Sequence, residues 1–269
     1  MTRKLSVYEQ THLARFSKSK IDINDYSETP VEYITGKVEF DHQVFVVNQD
    51  VLIPRIETEE LVNLTFQNIE NFNLKSSPNK RIKIKLADVG CGCGAIGICL
   101  AQRMIKHKIP FEMWMSDVTA KVIKVAQSNI DNLLTIKKKT KINDQLIFEL
   151  ANQSKIVLFV SDLLSQYPST PFDFLVANLP YIPQSRINYL SDSVKNYEPH
   201  IALDGGEDGL SLISKFLTQA QQYLSPHGQI LLEVDYTHDQ SALKKITGDF
   251  QLKMIFDQFN RQRFVLLSR

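Results

Sequence analysis

The sequence predicts an α/β protein built on a mainly parallel, doubly wound sheet. Three observations carry that expectation. From about residue 82 onward, strand-like and helix-like segments alternate. A glycine-rich turn joins the first strong strand to the first apolar helix. The last two strand-like segments are separated by only a short polar turn, so they pair antiparallel. Repeated strand–helix alternation implies parallel strands with helices on both faces, and such sheets commonly carry an antiparallel edge strand.

In chain order, residues 1–29 are polar and read as one short helix and a loop. VEYITGKVEF and HQVFVVNQDVLI, spanning 31–53, are rich in β-branched and aromatic residues around a polar turn, and read as a β-hairpin. Residues 56–72 carry a helical pattern through Leu61, Leu64 and Ile69, punctuated by Ser76, Ser77, Pro78 and Asn79. Then come a buried strand (IKIKLADVG), an apolar helix (AIGICLAQRMI) and a second strand (FEMWMSD). Val122, Val125, Ala126 and Ile130 share a helix face. IVLFVSD and FDFLVAN are the third and fourth strands, and Leu210, Ile213, Leu217, Ala220 and Leu224 form a helical stripe. GQILLEVDY, FQLKMIF and RFVLLS complete a seven-stranded sheet. The expected division is an N-terminal helix and hairpin extension over 1–55 and the main α/β domain over 56–269. Residues 133–155 read as an insertion. Its charge run, Lys137 to Lys141, is expected to be a solvated loop rather than a nucleic-acid contact.

Bulk properties bound the function. The 269 residues are 43% hydrophobic and 23% charged, with 31 basic and 30 acidic side chains and a net charge of +1. That is an ordinary globular composition and demands no nucleic-acid partner. Cys91, Cys93 and Cys99 are an odd, tightly spaced set, unlike a disulfide framework. No signal-peptide or membrane-span pattern is present, so a cytoplasmic protein is expected.

Asp88-Val89-Gly90-Cys91-Gly92-Cys93-Gly94 follows the first strong strand and opens a helix. Glycines at alternate positions let the backbone turn tightly and approach a ligand. The GxGxG run is ambiguous between a nicotinamide and an S-adenosylmethionine cofactor. Asp117, ending the second strand, is placed to accept from both ribose hydroxyls of an adenosine ligand. Asp88 is placed to reach a cationic or amino end, which suits the methionine end of S-adenosylmethionine better than a pyrophosphate. Asp162, after the third strand, is a candidate acceptor for the adenine amino group, and Leu163 a cover for the ring. Cys91 and Cys93 lack a second ligand pair and make a poor zinc site. They read as small residues of the loop, Cys99 reads as helix core, and no metal is expected.

Asn178-Leu179-Pro180-Tyr181 follows the fourth strand. It resembles the [D/N/S]-P-P-[Y/F] motif of methyltransferases acting on planar nitrogens. An amide nitrogen is a poor nucleophile because its lone pair is delocalised into the carbonyl. Two acceptors aimed at its hydrogens, the Asn178 side-chain oxygen and the carbonyl of Leu179, would hold it in line with a methyl carbon. Pro180 stiffens the turn, and Tyr181 can stack on the planar group. The motif proline is replaced by Leu179, which keeps the carbonyl, and a residue before proline is itself held extended.

Further segments extend the resemblance to a family. Pro30-Val31-Glu32-Tyr33-Ile34-Thr35-Gly36 with Phe40 and Phe45, and Leu52-Ile53-Pro54-Arg55-Ile56-Glu57-Thr58-Glu59, resemble the hairpin region of the HemK/PrmC family. Glu198-Pro199, Ala202 to Leu210 and Leu232-Glu233-Val234 are similar to later family segments. The resemblance implies a class I Rossmann-like methyltransferase using S-adenosylmethionine. Its implied target is the side-chain amide of a protein glutamine, that of the GGQ loop of peptide-chain release factors. It also implies cofactor contacts from Gly90 to Gly94, Asp117, Leu163 and Asn178, with Asn178 to Tyr181 holding the glutamine. The chain departs from the family pattern at Ile56, where proline is usual, and at Leu163, where tryptophan is common. About 29 residues precede the hairpin, where the family usually carries a helical domain that helps bind the release factor.

The competing reading is a nucleic-acid methyltransferase acting on an exocyclic amine of adenine or guanine, with the base flipped onto Tyr181. Only this reading calls for a nucleic-acid partner. A ribosomal-protein glutamine, a dehydrogenase and a non-catalytic binding module complete the alternatives. A dehydrogenase leaves the Asn–x–Pro–Tyr turn unexplained.

Overall fold

The computed structural model describes residues 3–17, 21–76 and 82–269. The expected punctuation at Ser77, Pro78 and Asn79 lies outside the described residues.

Helix α1 (Val7–Phe16) opens with a capping box: Ser6 Oγ accepts the Glu9 N–H, and the Glu9 carboxylate accepts the Ser6 N–H. A 3₁₀ turn at Ile23–Tyr26 leads to α2 (Val31–Thr35), which starts at Pro30 and stops at Gly36. The two helices are tied by the Tyr8 hydroxyl donating to Glu32 Oε1 (2.6 Å) and a His12–Thr35 hydrogen bond (2.8 Å).

Residues 31–53 therefore differ from the expected long hairpin. Proline at the start and glycine at the end enclose one helical turn that overrides the β-branched composition. Only β1 (Lys37–Phe40) and β2 (Gln43–Val46) pair, across a turn at Asp41 and His42, both at positive φ. Their Phe40 and Phe45 join the main core.

Helix α3 (Ile56–Ser76) follows Pro54, with Glu57 and Glu59 in its first turn. There follow β3 (Ile84–Val89), α4 (Ala95–Lys106), β4 (Phe111–Asp117) and α5 (Ala120–Leu133). Next are β5 (Lys138–Ile142), β6 (Gln145–Glu149), β7 (Lys155–Val160) and β8 (Phe172–Ala177). Short helices α6 (Gln184–Ile187) and α7 (Asp192–Lys195) precede α8 (Ser211–Tyr223). The chain ends with β9 (Leu224–Glu233), α9 (Gln240–Lys244), β10 (Gln251–Phe256) and β11 (Gln262–Ser268).

The main sheet has the order β10-β11-β9-β8-β3-β4-β7-β6-β5. Five central strands run parallel, and antiparallel pairs flank them on both sides. The seven expected strands are thus joined by two more, β5 and β6. The segment expected to be a solvated loop is an edge hairpin, turning at Asn143 (φ 52°). Its outer strand is Lys-rich, which hid the strand pattern. Lysines on an edge discourage pairing with another chain.

Alternation along the strands assigns two cores. Ile84 and Leu86 of β3 point to the face covered by α3, α4 and α5, while Ala87 and Val89 point to the face covered by α8. Cys99 is fully buried in α4, and Ile213, Leu217 and Ala220 in α8, as their spacing predicts. Strand order reverses at β3: the chain moves to β4 and β7 on one side and to β8 and β9 on the other. Ligands bind at such a switch point, outside the carboxyl ends of the strands.

Candidate active site

Four neighbouring strands, β4, β3, β8 and β9, bring Asp117, Asp88, Asn178 and Glu233 to their carboxyl ends. Strand spacing of about 4.8 Å makes this one continuous rim.

The glycine turn lies against the end of β4. Gly90 and Cys91 both donate their N–H to the Ser116 carbonyl (2.9 and 2.8 Å). Gly92 donates to Asp117 Oδ2 (3.0 Å), and Val118 to Oδ1 (2.8 Å). Burial raises the Asp117 carboxyl above its usual value, opposed by these N–H groups. Each oxygen retains a lone pair, so Asp117 can still accept from a diol.

Asp88 is buried and holds the start of α4 by accepting the Gly97 N–H (2.9 Å). Among the described residues its Oδ1 has no hydrogen-bond partner. Burial pushes this carboxyl up to about 7, against the Gly97 N–H. An unpartnered buried carboxylate oxygen, with the Asp117 carboxylate as a like charge nearby, fits a ligand that brings a cationic amine.

Cys91 and Cys93 are buried free thiols, and among the described residues no cluster of metal-ligating side chains forms. Asn129 of α5 braces the turn. Its Nδ2 donates to the carbonyls of Cys93 (2.8 Å) and Val46 (2.9 Å), and its Oδ1 accepts the Val46 N–H (2.7 Å). The β1–β2 hairpin is thereby fastened to the turn.

Asp162 is exposed and paired with Lys215 (2.6 Å). Leu163 is buried in the α8-side core at φ 52°, a conformation costly for a branched side chain. The Ser161 hydroxyl holds it by donating to its carbonyl (2.8 Å).

Asn178 to Tyr181 form the turn after β8. Gly90 lies against Leu179: a Cβ there would sit 3.0 Å from the leucine Cδ2. The glycine turn and the Asn–Leu–Pro–Tyr turn therefore touch at the switch point. The turn lines a cavity of about 260 Å³ with Leu52, Arg55, Leu190, Val194 and Leu203. Residues 203–206 support it from below. Gly205 donates to the Ile182 carbonyl (2.9 Å), and Ile182 to the Leu203 carbonyl (3.1 Å). Gly209 (φ 80°) approaches the Tyr181 carbonyl so closely that any Cβ would collide with it.

Behind the turn lies a network that sequence reasoning did not assign. Asn178 Nδ2 donates to Thr58 Oγ1 (3.0 Å) and Glu233 Oε2 (3.1 Å). The Thr58 hydroxyl donates to the same carboxylate oxygen (2.7 Å), and the Tyr181 hydroxyl to Glu233 Oε1 (2.9 Å). Arg263 donates to the Tyr181 hydroxyl (3.4 Å). Burial raises both the Glu233 carboxyl and the Tyr181 hydroxyl. Arg55 pairs with buried Glu198 (2.5 Å), which also accepts the Ile53 N–H (3.3 Å). The visible signal for Glu233 is an acid ending an apolar strand, since an acid there is either paired or functional.

A glycine turn, an acid after the next strand and an Asn–x–Pro–Tyr turn, all at the carboxyl rim of this sheet, define a class I methyltransferase. The comparisons agree. A family model described as "Methyltransferase small domain" matches residues 71–191. The human methyltransferase 10 domain containing protein shares the fold, with a TM-score of 0.52, 12% identity, and 83% of this chain and 87% of that one covered. A release factor glutamine methyltransferase of Clostridium acetobutylicum is 33% identical over 242 residues, 89% of this chain and 75% of its own length. One of Koribacter versatilis is 31% identical over 209 residues, 77% of this chain. The chain spans 63% of the length of that relative.

The chain belongs to the release factor glutamine methyltransferase family, HemK/PrmC.

Proposed function

We propose that the protein transfers a methyl group from S-adenosylmethionine to the side-chain amide nitrogen of a protein glutamine, that of the GGQ loop of peptide-chain release factors. The observation that carries this reading is the contact between the two turns. Leu179, which lines the cavity with Asn178, Pro180 and Tyr181, is also the residue against which Gly90 of the glycine turn packs.

Asp88, the turn from Gly90 through Cys91, Gly92 and Cys93 to Gly94, and Asp117 would hold the cofactor. When bound, it supplies an activated methyl on a sulfonium, so no metal or covalent nucleophile is required. Asn178 Oδ1 and the Leu179 carbonyl accept the two hydrogens of the target amide. That fixes the nitrogen and favours positive charge building on it during transfer. The Tyr181 ring offers a face to the planar amide. The proton lost afterwards passes to water. Asp162 and Leu163 border the adenine end in this reading, with Asp162 released from Lys215.

Among the described residues, no helix is long and apolar enough to cross a membrane. A cytoplasmic location belongs to the same proposal, through the proposed release-factor substrate.

The test is methyl transfer from radiolabelled S-adenosylmethionine to release factors, to their Gln→Ala GGQ variants and to total RNA, in parallel. Label on the wild-type factor and not on the variant is expected. Label on RNA alone would replace the substrate and favour an exocyclic amine.

A further inference from the structure

A carboxamide is nearly symmetric in shape, so packing alone does not decide whether Asn178 presents its oxygen or its NH₂ to the cavity. Hydrogen-bond partners decide it. Two atoms face the inner end of the Asn178 amide. Glu233 Oε2, at 3.1 Å, is a buried carboxylate oxygen and can only accept while ionised. Thr58 Oγ1, at 3.0 Å, has one hydrogen, and it is committed to Glu233 at 2.7 Å. Toward Asn178 the hydroxyl therefore offers a lone pair. Both neighbours select the NH₂ on the inner side.

We propose that Glu233, together with Thr58, is the positioning pair that sets the sense of the Asn178 amide, so that its oxygen and not its NH₂ meets the target nitrogen. Turning the amide over would lose two hydrogen bonds, one to a charged group. It would also set Oδ1 against two acceptors, leaving that state on the order of a hundredfold less populated. The same turn would place donor against donor at the target amide. Glu233 also accepts from the Tyr181 hydroxyl through its other oxygen. One buried carboxylate at the end of β9 thus meets both polar members of the turn, with Thr58 of α3 beside it.

This inference rests on the proposed amide-methylating role of Asn178, so its test has one arm that needs no turnover. Side-chain amide NMR of the full chain reads Asn178 directly. Its NH₂ protons should exchange slowly and show cross-relaxation to the Thr58 side chain, and Thr58→Val should weaken the protection. NH₂ protons exchanging at solvent rates in the wild type would overturn the proposal, whatever the substrate proves to be.

The kinetic arm uses release factor as substrate. Glu233→Leu removes both acceptors and should lower kcat at least about tenfold, with KM for the release factor and affinity for S-adenosylmethionine within about threefold. Glu233→Gln keeps one acceptor oxygen and should recover part of that loss. Thr58→Val should cost a few-fold in kcat, while Thr58→Ser, which retains the hydroxyl, should match the wild type. A folded Glu233→Leu protein turning over at the wild-type rate would overturn the proposal. If that variant does not fold, equal kcat for Thr58→Val and Thr58→Ser would do so. No methylation by the wild type would count against the proposed function, and the NMR arm would still decide this inference.

Discussion

Asp88, Asp117 and Asn178 each end a parallel strand, yet the chain holds the three polar groups in different ways. Asn178 is fixed from behind by Thr58 and Glu233, and its outward oxygen is an acceptor. Asn178→Ala should therefore lower turnover by on the order of 10²–10³ while S-adenosylmethionine affinity changes little. Steady-state kinetics beside calorimetry separate the two. Asp117 is held instead by backbone, accepting the Gly92 and Val118 N–H groups. Asp117→Ala should weaken cofactor affinity at least about tenfold, the loss of a charge-assisted hydrogen bond, and unchanged affinity would remove Asp117 from the ribose site.

Asp88 adds a pH dependence. Its carboxyl is raised from 3.8 to about 7 by burial. Between those values the folded protein holds a proton that the unfolded chain has released, so this group makes the free protein less stable as pH rises through the window. A cationic amine bound beside Asp88 favours the carboxylate. Cofactor binding near pH 6 should then release a proton, and affinity should rise with pH up to about 7. Calorimetry in buffers of different ionisation enthalpy measures that proton, and Asp88→Asn should abolish it.

These three residues were legible in the sequence because each sits at a fixed place relative to a strand and a turn. Glu233 and Thr58 were not assigned, because they reach Asn178 from 55 and 120 residues away. Local pattern carries no information about which distant side chains will meet behind a turn.

At the scale of elements, the signals that failed are as physical as those that held. The helices α5 and α8 show clear apolar stripes because each buries one face on the sheet, whereas α4 is apolar and buried all round from Ala95 to Ala101. Helix α2 is a single turn, too short for a stripe, and its residues Val31, Tyr33, Ile34 and Thr35 favour strands. Only Pro30 and Gly36 betray it. The β5–β6 hairpin failed for another reason. Its outer strand, with Lys138, Lys139 and Lys141 exposed, has no buried face to alternate with a polar one. Its inner strand contributes Phe148, fully buried in the core. Two of these lysines are paired, Lys138 with Glu149 and Lys139 with Asp131, which argues for an edge kept soluble rather than a nucleic-acid surface. Replacing Lys138, Lys139 and Lys141 by threonine should leave methyl transfer unchanged and increase self-association, as seen by light scattering. Loss of RNA binding in that variant, with no change in association, would contradict this assignment.

Across the whole molecule, the order of strands turns local motifs into a site. The glycine turn follows β3 and the Asn–Leu–Pro–Tyr turn follows β8, far apart in sequence. They touch because β3 and β8 are neighbours at the point where the winding reverses. Strand–helix alternation predicts a doubly wound sheet; the order that makes β3 and β8 neighbours comes from the structure. The N-terminal hairpin is part of the same body: its phenylalanines enter the main core, and Asn129 fastens β2 to the glycine turn. Arg55, which lines the cavity, pairs with Glu198 and so joins the approach to α3 to the loop after α7. The proposed acceptor site thus draws on residues 52–58 and 178–233, around the proposed cofactor turn between them.

In the proposed function this cavity presents a protein glutamine amide to the methyl donor. Tandem mass spectrometry of a release factor incubated with the protein and S-adenosylmethionine tests it most directly. The expected result is the mass of one added methyl group, localised to the glutamine of the GGQ loop and absent when the Asn178→Ala protein is used. Methylation of another side chain, or of RNA with the GGQ glutamine untouched, would contradict it.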